Sequence, residues 1–353
     1  MSDIASVLAR RIRDRGPIPL ADYMAAASAQ YYATAEPPGA GGDFVTAPEV
    51  SQMFGELVGL WAVDLWQRMG APAPFILAEL GPGRGTLLQD ALRAARLVPA
   101  FGAAAALHLI ETSPRMRQAA MATLGGLAPV WHDRAEELPP GPLILIANEF
   151  LDALPIRQFI RGEDGWHERR IGLGPDGAQF TFIPDPAPAE IALPDAAAGA
   201  IVETAPAAQA LARHLGARFA ATGGAALFID YGYVAGASGD TLQALQSHRR
   251  HDVLVAPGAA DLTAHVNFTA FANEASAAGA QIQGPVEQGW FLRRLGIDVR
   301  AERLLTAADA HQARLVAAGY RRLVDPTAMG SLFKAIAIAD PALPPLAGFA
   351  EAA

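Results

Sequence analysis

The stretch Phe75-Ile76-Leu77-Ala78-Glu79-Leu80-Gly81-Pro82-Gly83-Arg84-Gly85-Thr86-Leu87-Leu88-Gln89-Asp90-Ala91-Leu92-Arg93 passes from an apolar run, through a glycine-dense turn, into apolar residues at helical spacing. It predicts a strand, a tight turn and a helix in succession. Gly81, Gly83 and Gly85 at alternate positions let the backbone turn sharply and approach a ligand closely. The free N–H groups and positive dipole end of the following helix open into the same space. The junction therefore reads as a cradle for a nucleotide-type ligand, with the acid Glu79 at the end of its strand.

The spacing narrows the ligand. A dinucleotide fingerprint is G-x-G-x-x-G, whereas this turn is G-x-G-x-G preceded two residues earlier by an acid. An E-x-G-x-G-x-G turn after a first strand resembles motif I of the class I S-adenosylmethionine (SAM) methyltransferases. That resemblance implies that Glu79 receives the ammonium group of the cofactor. A nicotinamide-dependent dehydrogenase is the rival that the spacing disfavours, and no G-x-x-x-x-G-K-[ST] motif supports a P-loop nucleotidase.

Working outward, further short apolar runs end in polar groups. Ala105 to Glu111 reads as a second strand, and an acid in the position of Glu111 accepts hydrogen bonds from ribose hydroxyls in folds of this type. Ser113-Pro114 starts a helix with a capping residue and a proline at its first position. Pro129 to Asp133 reads as a third strand, with Asp133 placed to meet an adenine amino group. Leu143 to Ala147 continues the series and ends in the cluster Asn148, Glu149 and Asp152, which borders the crevice at the strands' carboxyl ends. Ala225 to Tyr233 and Ser331 to Ala339 supply later core strands, the first carrying Asp230 near its end. Asp261 to Phe268 alternates as a strand, and Gln281 to Leu292 reads as a late strand or loop entering a helix.

The flanks read differently. Ile4, Val7, Leu8 and Ile12 mark a helix stopped by Gly16-Pro17, a second helix follows Leu20, and a third runs from Val50 to Met69. Between them the Gly/Pro-rich stretch from Glu36 to Glu49 offers Asp43, Thr46 and Glu49 as polar loop groups. From Ile156 to Ile183 the runs 157–161, 166–171 and 179–183 are separated by Gly162-Glu163-Asp164-Gly165 and Gly174-Pro175-Asp176-Gly177, which predicts an antiparallel meander. A proline-rich connector and a helix from Pro206 to Ala221 follow it. The expected organisation is an N-terminal helical extension with a site loop (1–70), a methyltransferase core (71–155 and 222–340), an inserted meander and helix for acceptor recognition (156–221), and a loose tail (341–353).

Composition sets the outer bounds. The chain of 353 residues carries a formal net charge of −9, which argues against a nucleic-acid binder relying on phosphate contacts. It has no cysteine, so disulfides and thiolate metal sites are excluded. His248 and His251 flank Arg249 and Arg250 and suit an exposed basic patch better than a metal site, so no metal is expected. No apolar run is long enough to span a membrane, and neither a secretory signal nor a presequence is expected; these readings predict a cytoplasmic protein. Oligomeric state is not legible.

Taken together, Gly42 to Glu56, Glu79 to Thr86, Asn148 to Pro155, Ile229 to Tyr233 and Asp261 to Phe268 resemble the MidA-type SAM-dependent methyltransferases, over most of the chain. The resemblance implies an α/β fold: a Rossmann-like class I methyltransferase sheet with helices on both faces. It also implies a protein substrate, because mitochondrial members are complex I assembly factors associated with symmetric dimethylation of an arginine in a complex I (NADH dehydrogenase) subunit. The expected cofactor set is Glu79, Gly81, Gly83, Gly85, Glu111, Asp133 and Asn148; the expected catalytic acids are Glu149 and Asp152, then Asp43 and Glu49. Small-molecule O- or N-methylation, and a SAM-binding assembly chaperone with little turnover, are the alternatives.

Overall fold

A computed structural model describes residues 4–34, 45–234 and 239–349. Seven core strands form one sheet: β1 (Phe75–Leu80), β2 (Ala105–Ile110), β3 (Val130–His132), β4 (Leu143–Asn148), β5 (Gly224–Tyr233), β6 (Gln281–Glu287) and β7 (Phe333–Ala339). Their spatial order is β3-β2-β1-β4-β5-β7-β6, with the short segment Val266–Asn267 added alongside β5. β7 runs antiparallel to both its neighbours, whereas β1 to β5 are parallel. The chain order reverses direction across the sheet between β1 and β4, and that switch point opens a crevice at their carboxyl ends.

The central strands β1, β4 and β5 are almost wholly apolar along their buried lengths because both faces are covered. On β4, Ile144 and Ile146 pack toward the helix Gln52–Arg68, while Leu143, Leu145 and Ala147 pack toward the helices Pro206–Thr222 and Phe268–Ala277. β5 repeats the alternation, with Ala225, Leu227 and Ile229 on one side and Ala226 and Phe228 on the other. Burial on this scale stabilises the sheet by roughly 25 cal/mol for each Å² of apolar surface removed from water.

A third core is built from distant segments. Leu8, Ile12, Leu20, Tyr23 and Met24 of the first two helices, Ile4–Arg15 and Leu20–Thr34, pack on Ile156 and Ile171 of the insertion and on Leu262. Ile18–Pro19 joins the inserted sheet, pairing antiparallel with Ile171 and Arg170. The other strands of that sheet are Arg157–Arg161, Trp166–Leu173, Phe180–Pro184 and Ile201–Thr204. Gln243–Gln246, Arg249–His251 and Asp261–Thr263 form a separate three-stranded sheet.

Several expectations require revision. The stretch read as one strand from Asp261 breaks at Ala264-His265 into two pieces in different sheets. The helix Pro206–Thr222, expected within the insertion, covers the central sheet instead, because its buried stripe of Ala208, Ala212, Leu215 and Phe219 meets that apolar face. The segment after Asp340 is not loose: Leu343 and Leu346 are buried, and the Phe349 ring lies 5.1 Å from Phe291. Among the described residues, no helix is long and apolar enough to cross a membrane.

Candidate functional site

A cavity of about 530 Å³ occupies the switch point. Its floor is the β1 turn, one wall is the β4 end, and its roof is the helix Leu20–Thr34 through Ala25, Ser28, Ala29 and Tyr32. Gly81, Gly83 and Gly85 have φ of 62°, 52° and 78°, a left-handed run that a side chain would strain. At Gly81 the space is also occupied, since an added Cβ would lie 3.0 Å from Phe150 Cδ2. Gly85 precedes the helix Thr86–Ala95 with no side-chain cap, which leaves its first N–H groups without a capping partner where Thr86 and Leu87 line the cavity.

Glu79 is 3 % exposed and lines the cavity. Its Oε2 has no hydrogen-bond partner among the described residues, and burial pushes its carboxyl up to about 8. Glu111 also lines the cavity; its Oε1 accepts the Ser113 N–H at 2.7 Å, and burial raises its carboxyl above the ordinary range. Glu49 lies against the start of the glycine-turn helix, where its Oε1 accepts the Thr86 hydroxyl. Asp43 lies outside the described residues.

At the end of β4, Asn148 and Glu149 share one wall. Glu149 Oε1 accepts the Ala47 N–H at 2.9 Å and the Asn148 amide Nδ2 at 3.1 Å. That arrangement leaves Asn148 Oδ1 buried without a partner and Glu149 Oε2 without a hydrogen bond from any described residue. Burial, reinforced by the charge of nearby Asp152, pushes the Glu149 carboxyl up to about 7, although the Ala47 N–H opposes the shift. Glu149 itself adopts φ 50°, an uncommon conformation for a side-chain-bearing residue.

Two expected site residues stand elsewhere. Asp133 does not line the cavity: β3 ends one residue earlier, and the Asp133 side chain, 67 % exposed, pairs with Arg117 at 2.5 Å. Arg117 also donates to the Glu111 and His132 carbonyls, so Asp133 helps fasten the end of this sheet edge. Asp152 is buried behind the wall, where its carboxylate accepts a hydrogen bond from the Tyr231 phenol. Burial raises it to about 6.

Sequence reasoning assigned no role in the site to the roof helix. Its signal is a row of three small residues, Ala25, Ser28 and Ala29, continued by Tyr32 at helical spacing on a segment otherwise read as packing. Ser28 Oγ is buried and, among the described residues, unpartnered, like Glu79 Oε2 and Asn148 Oδ1. Two of these orphan oxygens, Glu79 Oε2 and Ser28 Oγ, call for a ligand rich in donors, because leaving such groups unpaired costs roughly 1–3 kcal/mol each. An ammonium group and sugar hydroxyls meet that demand, and the glycine turn supplies N–H groups for a carboxylate, so the residues present fit SAM.

Comparison with known proteins agrees with this chemistry. Residues 57–286 match the family described as "Putative S-adenosyl-L-methionine-dependent methyltransferase". The Drosophila melanogaster protein arginine methyltransferase NDUFAF7 homolog, mitochondrial, is 36 % identical over 95 % of this chain and 84 % of its own length. The human protein arginine methyltransferase NDUFAF7, mitochondrial, is 34 % identical over 93 % of this chain and 81 % of its own. A Burkholderia thailandensis protein crystallised with S-adenosyl-homocysteine superimposes with a TM-score of 0.82 and 29 % identity, covering 99 % of this chain and 93 % of that one. These relatives correct the expectation of a cytoplasmic protein, since the curated ones are named as mitochondrial. By the extent of these matches, the chain belongs to this family of methyltransferases and is a SAM-dependent enzyme.

Proposed function

We propose that this methyltransferase modifies a guanidino nitrogen of an arginine in a protein, with a subunit of respiratory complex I as the acceptor that the family resemblance suggests. The observation that carries the reading is the pair of oxygens at the end of β4, the buried Asn148 Oδ1 and the Glu149 Oε2, neither of which takes a hydrogen bond from a described residue. Two adjacent acceptors, one on an acid, match the forked donors of a guanidinium, which is always charged in solution. The relatives named protein arginine methyltransferases support the same acceptor class.

When bound, the sulfonium cofactor supplies an electrophilic methyl group. Glu79 would hold the ammonium, the glycine turn the methionine carboxylate, and Glu111 the ribose. Asn148 Oδ1 and Glu149 would align the guanidinium nitrogen, and the roof helix would exclude water, so that positioning carries much of the rate. The N–CH₃ bond forms as the S–CH₃ bond breaks, and the guanidinium must shed one proton. Glu149, pushed up to about 7 by burial, is matched to take that proton and return it to solvent. Asp152 would act from behind through its effect on Glu149.

The test uses purified protein, radiolabelled SAM and lysate from cells lacking the gene, with acid hydrolysates analysed for methylated amino acids. Labelled methylarginine is expected. Glu149→Gln should lower incorporation about a hundredfold while S-adenosyl-homocysteine (SAH) affinity stays within about threefold. Label only in small molecules would replace the acceptor assignment, and parental incorporation by Glu149→Gln would remove that acid from the chemistry.

A further inference from the structure

Asp230 lies at the end of β5, is 1 % exposed, and does not line the cofactor cavity. Its Oδ2 accepts three successive backbone N–H groups, those of Phe150 at 3.1 Å, Leu151 at 2.8 Å and Asp152 at 3.3 Å. Its Oδ1 accepts the N–H of Tyr231 at 2.9 Å. One residue earlier on β5, the Ile229 carbonyl accepts the Glu149 N–H at 2.9 Å. The four residues that leave β4 are thus tied to β5 by every one of their N–H groups.

Three consecutive amides reach one oxygen only if the chain coils around it, forming a concave nest for an anion. Here a carboxylate of the protein fills the nest. The coil starts at Glu149, whose left-handed φ of 50° turns the chain out of the strand direction. That turn brings Glu149 Oε1 to the Ala47 N–H and leaves Asn148 Oδ1 unpartnered in the cavity wall. Such a conformation in a non-glycine residue costs about 1–3 kcal/mol and persists only where surrounding bonds hold it.

We propose that Asp230 is a positioning residue for methyl transfer, whose carboxylate fastens the Phe150–Asp152 backbone so that Glu149 and Asn148 present their open oxygens to the acceptor. The proposal rests on the acceptor-side reading above. It separates two halves of one cavity: the glycine turn and Glu79 on β1 are touched by this nest only through the Phe150 ring beside Gly81, whereas the β4 wall is bonded to Asp230 directly.

Asp230→Asn and Asp230→Ala test the separation. Asparagine keeps one carbonyl oxygen for the nest but places an NH₂ donor where the Tyr231 N–H now donates; alanine empties the nest. With SAM as the varied substrate and the lysate as acceptor, Asp230→Asn should lower kcat about tenfold and Asp230→Ala about a hundredfold, both with KM for SAM within about threefold of the parent. SAH affinity by calorimetry should be similarly unchanged. A parental kcat in Asp230→Asn overturns the proposal, as does a loss of SAH affinity in proportion to the loss of rate, which marks Asp230 as general scaffold. Should the alanine variant fail to fold, the asparagine variant decides. Absence of transfer by the parent protein refutes the acceptor reading instead, so the two failures are distinct.

Discussion

Glu79 enters the folded protein with nothing to balance its charge: it is buried in a strand, one oxygen lacks a partner, and its carboxyl is pushed up to about 8. At neutral pH it is therefore mostly protonated before the cofactor arrives. An ammonium group beside it favours the ionised form, so binding must expel a proton. Calorimetry of SAH binding at pH 7, in buffers of different ionisation enthalpy, should report release of about one proton. Glu79→Gln should abolish that release and weaken binding about tenfold to a hundredfold. Unchanged proton release in the variant would assign the titration to another group. Position and partner differ in how well the sequence discloses them. The glycine turn and the strand-end acids Glu79 and Glu111 were legible because a strand's last residues must face the crevice. Asp133 and Asp152 satisfy the same rule on paper, yet one answers Arg117 and the other Tyr231, and those partners lie on separate elements that spacing alone does not bring together.

At the level of elements, core strands announce themselves by apolar runs, and the order β1, β2, β4, β5 follows from them. Less visible was the alliance of N-terminal helices with the insertion. Ile18–Pro19 is a two-residue strand whose register with Ile171 no periodicity reveals, and it leads directly into the roof helix. The helices Ile297–Ala307 and Ala310–Val324 were also passed over, although Asp309 and Gln312 form a capping box at the second. The roof is clamped at Ser113, whose hydroxyl donates to the Tyr32 carbonyl at 2.7 Å and also accepts the Met116 N–H at 3.3 Å. One side chain thus caps the helix Pro114–Leu124 and fixes the end of the roof. Ser113→Ala should cost about 1 kcal/mol in stability from the lost cap. Because the roof lines the cavity, it should also weaken SAH binding about threefold to tenfold. Denaturant unfolding and calorimetry read the two effects independently; unaltered affinity beside lowered stability would show that the cap matters and the clamp does not.

For the whole molecule, the buried acids that shape the cavity also set how stability responds to pH. Unfolding returns Glu79 and Glu149 to water, where their carboxyls titrate near 4.5, whereas in the fold they titrate near 8 and 7. Across the interval between those values the folded state holds more protons than the unfolded one, so stability falls as pH rises. Buried His108 and half-buried His265 act in the opposite sense, because desolvation lowers them below 6.5, but that contribution ends once pH passes 6.5. Between about pH 6.5 and 8 the two glutamates alone should cost the ligand-free protein about 2 kcal/mol, or about 3 °C in Tm, and Asp230, whose carboxyl burial also raises, acts in the same sense. Saturating SAH should flatten the Glu79 part of the slope, since a paired carboxylate no longer resists ionisation in the fold. Glu79→Gln should flatten it without ligand. Thermal melts of the parent and variant, with and without SAH, across this interval check both statements, and a ligand-free parent whose Tm rises from pH 6.5 to 8 would mean that neither glutamate is held neutral by its burial.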